Sequence, residues 1–395
     1  MHLFIVHQFP DYDNFVSITV NLKKKTNCNF AIMNIFPIHN LKYYGFNSLL
    51  KKYEIQFIDV FKLNKKSILL KFLLSFLIIL PKGIIKKLNR AWYYFYHNYT
   101  LFHKKDLVDL IKNKKIKTIN IDQSLPERYK QIFFLACKET GIKFISYKVG
   151  IEMRRNIKIK IEDYNLFNYT IMQDENLILD DTEENRKKFI RISNPRYSLD
   201  WLEEVENSYR YKLKEYNLDT NKKKLKVLIV TRPMFSNKSW QVIYEELKKI
   251  RNIEVRIKLK PRGQFRPLHV QENIINEYNT SELINWADVI VAHSTSVLIE
   301  GIIKDKKILF LNFLFDLEKI NETKYIFENQ NIVEYMYSKV DLIKRIKNLK
   351  ENKNDNIDYK EYQKSKKFFL EKSLGNNFFD EKNSLKKNFI DIYLN

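Results

Sequence analysis

Hydrophobic and polar positions follow one order twice along the chain: a short buried strand, then an amphipathic helix. In the first half, apolar runs at 3–9, 29–36 and 53–61 predict strands. Two further apolar runs end at Asp122 and at Gly150, with helical patterns between them. This β-α-β-α order predicts a mainly parallel sheet covered by helices.

The same order begins again near residue 225. Strands are predicted at 226–233, 288–292 and 307–314, with a further strand running into a loop at 252–263, and helices separate them. Two doubly wound sheets in tandem form a cleft, and ligands of such sheets bind beyond the carboxyl ends of the strands. The predicted division is an N-terminal domain, a linker helix, a C-terminal domain and a helical extension, at 1–200, 201–224, 225–350 and 351–395.

The composition adds a strong positive charge to this picture. The 395 residues include 70 Lys and Arg against 47 Asp and Glu, a formal net charge of +23. This charge predicts an anionic partner, although its even spread along the chain is equally consistent with a bias in base composition. Cys28 and Cys137 have no metal-ligand spacing, and the first residues resemble a buried strand rather than a signal peptide. We therefore expect a cytoplasmic protein.

The segment at 67–85 is the most apolar part of the chain. Its uninterrupted core, Phe72 to Leu80, is too short to span a bilayer, which needs about 20 residues. Basic residues and the aromatic run at 92–96 follow it. Apolar, basic and aromatic residues together are typical of a helix in a membrane interface. The segment predicts peripheral attachment to the anionic inner face of the cytoplasmic membrane, or alternatively a buried helix packed on a sheet.

Three small hydroxyl residues stand where a predicted strand meets a predicted helix. Ser294, Thr295 and Ser296 follow the apolar run DVIVA, and VLIEGII begins the helix. Hydroxyls and the free N–H groups of a helix N-terminus suit a phosphate. Glu300, about one helical turn later, can accept hydrogen bonds from the hydroxyls of a ribose or sugar. The alternative is a simple N-cap at Ser296 and a solvated Glu300.

Two further strand ends carry basic or polar residues. RIKLKPRGQFR places Lys260, Arg262 and Arg266 beside a flexible glycine, where they could clamp phosphates. Thr231 and Arg232 end the first strand of the second domain. The alternatives are a basic surface loop and a simple turn.

Four passages of the chain together resemble a known family. SNPRYSLDWLEEV resembles the G-x-P-R-[YF]…W passage of bacterial surface-polysaccharide glycosyltransferases, which build capsule, O-antigen or lipooligosaccharide. WADVIVAHSTSVLIEGIIKDKKILFLNFL resembles their donor-site passage, NETKYIFENQNIVEYMYS their trailing loop and strand, and KLKPRG their basic loop. The resemblance covers about residues 120–350. Related folds include capsule Kdo and sialic acid transferases, CDP-glycerol polymerases and sugar-nucleotide 2-epimerases.

The resemblance implies the GT-B architecture, an α/β fold of two Rossmann-like domains with a central cleft. It places a nucleotide-sugar donor, with no separate cofactor, near Ser294, Thr295 and Ser296. It places Glu300 on ribose or sugar hydroxyls. The residues it places near the donor phosphates or carboxylate are Lys260 and Arg262. Two departures are Lys260, where many relatives carry His, and Asp305-Lys306-Lys307 in place of Gly-Lys-Pro.

Transferases of this architecture need no metal, because helix dipoles and basic side chains meet the charge of the leaving group. Asp11-Tyr12-Asp13 has the spacing of a metal motif but is expected in the first N-terminal loop. An inverting reaction needs a general base near the acceptor hydroxyl. The candidates are three acids at strand ends in the N-terminal domain, Asp122, Glu127 and Glu152. Each could also be an ordinary cap or surface acid. His7 is a weaker candidate.

The predicted reaction is transfer of a sugar from a nucleotide donor to a hydroxyl of a glycan or lipid-linked acceptor. The abundance of Lys and Arg would suit a CMP-linked acidic sugar. A sugar-nucleotide 2-epimerase and a non-catalytic, membrane-associated assembly protein are the alternatives. Nucleic acid is not an expected partner, because the chain has no helix-turn-helix, RNP or zinc motif.

Overall fold

The chain folds into two parallel α/β units, as the sequence predicts. In this computed structural model, the described residues are 1–7, 9–35, 46–59, 104–148, 158–159, 164–173, 178–179, 182–209, 224–231, 237–259, 280–313, 326–327, 331–351, 358–375, 385 and 387–394. The apolar segment predicted for a membrane interface, 67–85, lies outside them.

The N-terminal sheet has seven strands in the order β3-β2-β1-β4-β5-β7-β9, and all neighbouring pairs are parallel. A separate short parallel pair is formed by β6 and β8. The strands of this half are β1 (His2–Val6), β2 (Phe30–Asn34), β3 (Gln56–Asp59), β4 (Thr118–Asp122), β5 (Lys143–Lys148), β6 (Lys158–Ile159), β7 (Tyr169–Met172), β8 (Ile178–Leu179) and β9 (Phe189–Arg191).

Helices cover both faces of this sheet, which explains why every residue of β1 is buried. Phe4 and Val6 face one hydrophobic cluster, and Leu3 and Ile5 face another. The helices are α1 (Phe9–Lys25), α2 (Phe46–Lys52), α3 (Lys104–Asn113), α4 (Glu127–Thr140), α5 (Glu183–Arg186) and α6 (Leu199–Tyr209), with short 3-10 helices at Tyr164–Leu166 and Pro195–Tyr197. Helix α4 ends at a glycine cap, since Gly141 has a left-handed φ of 69°.

The C-terminal sheet has five parallel strands in the order β11-β10-β12-β13-β14. Its elements are β10 (Leu225–Val230), α7 (Asn237–Lys248), β11 (Ile253–Lys258), α8 (Thr280–Trp286), β12 (Val289–Ala292), α9 (Val297–Ile303), β13 (Lys307–Leu311), β14 (Glu334–Met336) and α10 (Lys339–Lys350). The apolar runs that predicted its strands are almost fully buried for the same reason as in β1.

Two segments join the halves. In α6, Trp201 packs into the N-terminal core, whereas Leu202 packs into the C-terminal core. The final segment, predicted as a helical extension, forms α11 (Tyr359–Leu374) and α12 (Lys387–Leu394). Helix α11 packs on the C-terminal core, and α12 returns to the N-terminal one. The hydroxyl of Tyr393 in α12 donates a 2.8 Å hydrogen bond to Asn120 on β4, which anchors this return.

The topology brings the ends of particular strands together. Strands β1 and β4 are neighbours, so the residues after Val6 lie beside Asp122. Strands β10 and β12 are likewise neighbours, so Thr231 lies beside the residues that follow Ala292. Both places are carboxyl edges of parallel sheets, where ligands bind in this class of fold. Among the described residues, no helix has the length and apolar character needed to cross a membrane.

Candidate functional site

At the carboxyl edge of the N-terminal sheet, three ionisable side chains meet: His7, Asp11 and Asp122, here called the N-terminal cluster. His7 Nδ1 lies 2.5 Å from Asp11 Oδ2, and the His7 backbone N–H donates to the same oxygen at 3.3 Å. Asp11 is fully buried and Asp122 is 3% exposed. The second ring nitrogen of His7, Nε2, lies 3.4 Å from Ser124 Oγ.

Ser124 holds Asp122 by two hydrogen bonds, and burial together with the charge of Asp11 raises the pKa of Asp122. The backbone N–H of Ser124 donates to Asp122 Oδ1 at 2.8 Å, and the Ser124 hydroxyl donates to the same atom. Burial, with a contribution from the charge of Asp11, raises the pKa of Asp122 to about 6. Ser124 and His7 act in the opposite direction. A carboxyl group that titrates this close to neutrality is suited to proton transfer.

The N-terminal cluster is also the group that could hold a metal ion within the described part of the chain. Each side chain offers one ligand atom, and the three atoms lie within 4.8 Å of one another. Imidazole and carboxylate are ligands that divalent transition metals accept. However, the 2.5 Å contact of His7 Nδ1 with Asp11 Oδ2 is also consistent with an ion pair, in which a carboxylate orients an imidazole. The expectation of a reaction without metal stays a prediction.

Asp11 lies in a different element from the one expected. Asp11-Tyr12-Asp13 is expected from the sequence in a loop, but these residues lie in the first turns of α1. Pro10 and an acidic first turn both favour a helix start, which explains the difference. Asp11 was not recognised as a site residue. The signal for it was the spacing of four residues between His7 and Asp11.

Of the other two acids predicted as general bases, Glu127 lies outside this cluster. Glu127 is the first residue of α4, and half of its side chain is exposed. It accepts a 2.7 Å hydrogen bond from Gln131 Nε2 and lies 3.5 Å from Lys130 Nζ. Glu152 lies outside the described residues.

The carboxyl edge of the second sheet carries the three hydroxyl residues Ser294, Thr295 and Ser296, here called the hydroxyl cluster. Ser294 and Thr295 are each 8% exposed, and Ser296 is half-buried. Ser296 stands at the N-cap position of α9, but its side chain makes no capping hydrogen bond. The alternative of a simple side-chain cap therefore does not describe Ser296.

Glu300 is buried rather than solvated. The Ser281 hydroxyl of α8 donates to Glu300 Oε1, and Lys304 Nζ lies 3.4 Å from the same oxygen. These contacts hold the carboxylate on the inner side of α9, one turn after the hydroxyl cluster. A carboxylate fixed in this way is pre-organised to accept hydrogen bonds.

Thr231 directly follows strand β10, and the neighbouring strand β11 ends with Lys258. Lys258 was not among the predicted site residues. Thr231 is buried, and its hydroxyl donates to the Lys258 carbonyl at 3.4 Å. The side chain of Lys258 is also buried, which lowers its pKa to about 8, while the charge of Glu282 acts to raise it. The buried strand pattern concealed this lysine. The predicted donor residues Arg232, Lys260 and Arg262 lie outside the described residues.

A third group connects the two edges. Arg196 Nη2 lies 2.6 Å from Asp13 Oδ2, two residues after Asp11 on α1. The next residue, Tyr197, is buried in the C-terminal core, and its hydroxyl donates to the Ser296 carbonyl at 3.5 Å. The passage SNPRYS, noted in the sequence for its resemblance, thus contacts both domains.

Comparisons with known proteins agree with this architecture. A glycosyltransferase from Rickettsia africae ESF-5 superposes with a TM-score of 0.51 at 14% identity, covering 99% of this chain and 97% of that one. A UDP-GlcNAc 2-epimerase from Neisseria meningitidis, solved with UDP-GlcNAc bound, gives 0.53 at 14%, covering 98% and 99%. The wall teichoic acid polymerase TagF, soaked with CDPG, gives 0.52 at 12%, covering 99% and 88%.

No protein-family model matches the sequence, and no curated protein matches it. At these identities, the structural likeness establishes the fold. The chain therefore has the GT-B architecture that the resemblance implied, with two Rossmann-like domains. Its structural neighbours are enzymes of two kinds, glycosyltransferases and sugar-nucleotide epimerases.

Proposed function

We propose that this chain is a glycosyltransferase that moves a sugar from a nucleotide-sugar donor to a hydroxyl of a surface glycan or lipid-linked acceptor. The observation that carries the proposal is the N-terminal cluster, in which partly exposed His7 lies against buried Asp11 beside a second buried carboxyl group at a ligand-binding edge. Such a pair is the arrangement that a general base requires.

In the proposed reaction, the acceptor oxygen attacks the anomeric carbon of the donor sugar. A new carbon–oxygen bond forms while the bond from that carbon to the phosphate oxygen breaks. His7 Nε2 takes the proton of the acceptor hydroxyl, and Asp11 on Nδ1 orients the ring and stabilises the resulting imidazolium. Asp122 lies beside them, within 4.8 Å of the His7 and Asp11 ligand atoms. The nucleotide departs with the bonding electron pair.

The donor is proposed to bind at the carboxyl edge of the second sheet. Ser294, Thr295 and Ser296 can donate hydrogen bonds to phosphate oxygens, and Glu300 can accept from sugar or ribose hydroxyls. Thr231 lies at the neighbouring strand end. The predicted contributions of Arg232, Lys260 and Arg262 remain part of the proposal. One structural neighbour was solved with UDP-GlcNAc bound and another was soaked with CDPG, so uridine and cytidine nucleotides are the first donors to test.

The test is a nucleotide panel of CMP, CDP, UDP, GDP and ADP, scored by thermal stabilisation of the wild type and of Glu300→Ala. A ligand at about 100 times its dissociation constant adds about 2.7 kcal/mol of stability. We expect one base to stabilise the wild type selectively and Glu300→Ala to lose most of the shift. The absence of any nucleotide effect, together with salt-sensitive binding to RNA or DNA, would refute the proposal.

The same samples test whether turnover needs a metal ion. We expect donor turnover to be unchanged after treatment with EDTA and after addition of Mg²⁺ or Mn²⁺. Loss of turnover in EDTA, restored by one metal, would instead assign the N-terminal cluster to that metal and contradict a metal-independent mechanism.

A sugar-nucleotide 2-epimerase is the second candidate, because one structural neighbour has that activity in its name and the cluster could also move a proton at a sugar carbon. The two enzymes differ in what they need. An epimerase converts UDP-GlcNAc without an acceptor, which a proton spectrum of the sugar region detects. A transferase leaves the sugar configuration unchanged until an acceptor hydroxyl is supplied.

Attachment to the inner face of the cytoplasmic membrane belongs to the proposal as well. The net charge of +23 would favour an anionic bilayer surface, where a lipid-linked acceptor resides. We expect the protein to sediment with vesicles that contain phosphatidylglycerol and to be released by salt. A non-catalytic assembly protein would bind such vesicles too, but Glu300→Ala would leave glycan production intact.

A further inference from the structure

A chain of side chains crosses from one domain to the other, and the proposed reaction does not use its central member. Asp13 on α1 contacts the Arg196 guanidinium at 2.6 Å. That guanidinium lies 5.4 Å from the centre of the Tyr197 ring. The Tyr197 hydroxyl donates to the carbonyl of Ser296, the residue that precedes α9. Helix α1 and the N-terminus of α9 are thereby linked through two consecutive residues.

These residues are shielded from solvent, so their interactions are not weakened as surface ion pairs are. The side chain of Asp13 is 13% exposed, that of Arg196 is 22% exposed, and Tyr197 is 1% exposed. Asn194 Oδ1 accepts a hydrogen bond from the Arg196 backbone N–H at 3.2 Å, which fixes the turn. The link is therefore held by the backbone as well as by charge.

Glu300 interacts electrostatically with both Asp13 and Arg196. Burial raises the pKa of Asp13, with Arg196 acting to lower it and Glu300 acting to raise it further. Burial alone would lower the pKa of Arg196, but the charges of Asp13, Tyr197 and Glu300 outweigh it and raise it. The guanidinium thus interacts with a carboxylate on each side of the domain boundary.

The link connects the two parts of the proposed site. On α1, Asp13 lies two residues after Asp11, the partner of His7. On α9, Ser296 and Glu300 are the residues assigned to the donor. Displacement of either helix is transmitted to the other if the ion pair and the tyrosine contact are kept. Removal of the guanidinium leaves Asp13 without this partner and frees the helices to move separately.

We propose that Arg196 is a positioning residue that couples the donor edge to the general-base edge, acting through Asp13 on α1 and through Tyr197 and Ser296 on α9. This inference rests on the proposed function for the identity of the two edges. The coupling between the helices is a physical property that can be measured without any substrate.

Hydrogen exchange measured by mass spectrometry tests the coupling in the full chain. The variants are Arg196→Met, Arg196→Lys and Asp13→Asn. Arg196→Lys keeps the charge but loses the planar fork of donors. The matched control is Arg345→Met, because Arg345 pairs with Glu334 at 2.6 and 2.8 Å and is 18% exposed, within the C-terminal domain alone.

Without nucleotide, we expect exchange in α9 to be at least about threefold faster in Asp13→Asn and in Arg196→Met, less so in Arg196→Lys, and unchanged in Arg345→Met. A substitution in the N-terminal domain would then loosen a helix of the other domain. Wild-type exchange of α9 in Asp13→Asn would overturn the proposal, as would equal loosening in the Arg345→Met control.

With CMP, CDP or UDP added, we expect protection of α9 to extend to the first turns of α1 in the wild type but to stop at α9 in Arg196→Met. Protection that reaches α1 equally in both proteins would also overturn the coupling. If none of these nucleotides protects α9, the proposed donor site fails instead, and the nucleotide-free comparison still decides the coupling. Thermal unfolding of each variant confirms that the fold is retained.

Discussion

The carboxyl edges of the two sheets have opposite chemistry. The N-terminal edge gathers an imidazole and two buried carboxyl groups, His7, Asp11 and Asp122. The C-terminal edge presents the uncharged hydroxyl cluster, behind which Glu300 is partly compensated by Ser281 and Lys304. Two sheets of the same topology class therefore end in different environments.

Under the proposed function, this difference corresponds to a separate task for each domain. The buried carboxyl groups would repel an anionic donor and neutral hydroxyl donors would accept it, so we expect the donor at the C-terminal edge. We expect proton transfer at the N-terminal edge, where an imidazole lies against a buried carboxyl group. A single substitution at one edge should therefore affect one task and spare the other, and four predictions test this separation.

The largest expected effect is on turnover. Replacing His7 by Ala removes the proposed base, and we expect turnover to fall by about 10²–10⁴-fold while nucleotide affinity stays within about threefold of the wild type. Turnover is measured as acceptor-dependent release of nucleotide, and affinity by titration calorimetry with the nucleotide selected from the panel.

The control for this prediction is Glu139→Gln, which alters an exposed ion pair with Lys104 on the same domain. Glu127→Gln tests the described candidate that lies outside the N-terminal cluster, because Glu127 is half-exposed and paired with Lys130. A loss of turnover in Glu127→Gln that matches His7→Ala would move the base away from the N-terminal cluster.

A smaller effect, on nucleotide affinity rather than on turnover, is expected from substitution of Glu300. Glu300→Ala removes a buried acceptor and leaves Ser281 and Lys304 without it, so nucleotide affinity should fall by about 10–100-fold. Glu300→Gln retains one acceptor oxygen and should lose less. The thermal stability of both variants without nucleotide gives the structural part of the loss. Equal affinity in all three proteins would remove Glu300 from the donor site.

The raised pKa of Asp122 in the N-terminal cluster should make the stability of the fold depend on pH. Because the pKa of Asp122 is raised to about 6, its carboxyl binds a proton more tightly in the folded than in the unfolded chain. The stability that this contributes is fully present below the ordinary pKa of 3.8 and is lost as pH rises from there through about 6. At 1.36 kcal/mol per pH unit, ionised Asp122 destabilises the fold at neutral pH by at most about 3 kcal/mol.

Asp122→Asn carries no charge, so its melting temperature relative to the wild type should rise between about pH 4 and pH 7. The measurement is thermal unfolding of both proteins over this range, with Asp109→Asn as a variant of an acid on α3 whose side chain lies outside the cluster. If the difference in melting temperature between Asp122→Asn and the wild type did not change with pH, the raised pKa of Asp122 would be contradicted.

The sequence predicted the two edges more completely than the groups that meet there. Continuous apolar runs identified most of the long strands, because both faces of each sheet are covered and most strand positions are apolar. Asp122 and the hydroxyl cluster were found because they directly follow such runs. Asp11 was missed because its partnership with His7 depends on where α1 begins, and the start of the helix is set by packing as well as by Pro10.

Other parts of the site depend on contacts between distant segments, which no local pattern encodes. Glu300 was expected on local grounds either in a ligand site or in solvent, and its burial against Ser281 depends on how α8 packs beside α9. Lys258 lies inside a strand pattern that predicts an apolar residue. The link through Arg196 joins residues more than 180 positions apart on one side.

The smallest predicted effect concerns how closely α9 approaches its sheet. A Cβ on Gly301 would lie 2.7 Å from Ile290 Cδ1 and 3.2 Å from Ile308 Cδ1. Both contacts are with movable side-chain ends, so Gly301→Ala should cost about 1 kcal/mol and displace the helix that carries Glu300. We expect a small loss of thermal stability together with nucleotide binding that is weaker by about two- to fivefold.

Gly141→Ala is the matched control for this prediction. Gly141 has a positive φ of 69° with no atom near the added Cβ, so its replacement should cost a similar free energy through backbone strain alone. Because Gly141 ends α4 in the N-terminal domain, the strain has no route to the hydroxyl cluster, and nucleotide affinity should be unchanged. If both variants lost stability and affinity together, affinity would follow stability in general, and the assignment of the donor to the C-terminal edge would lose its support.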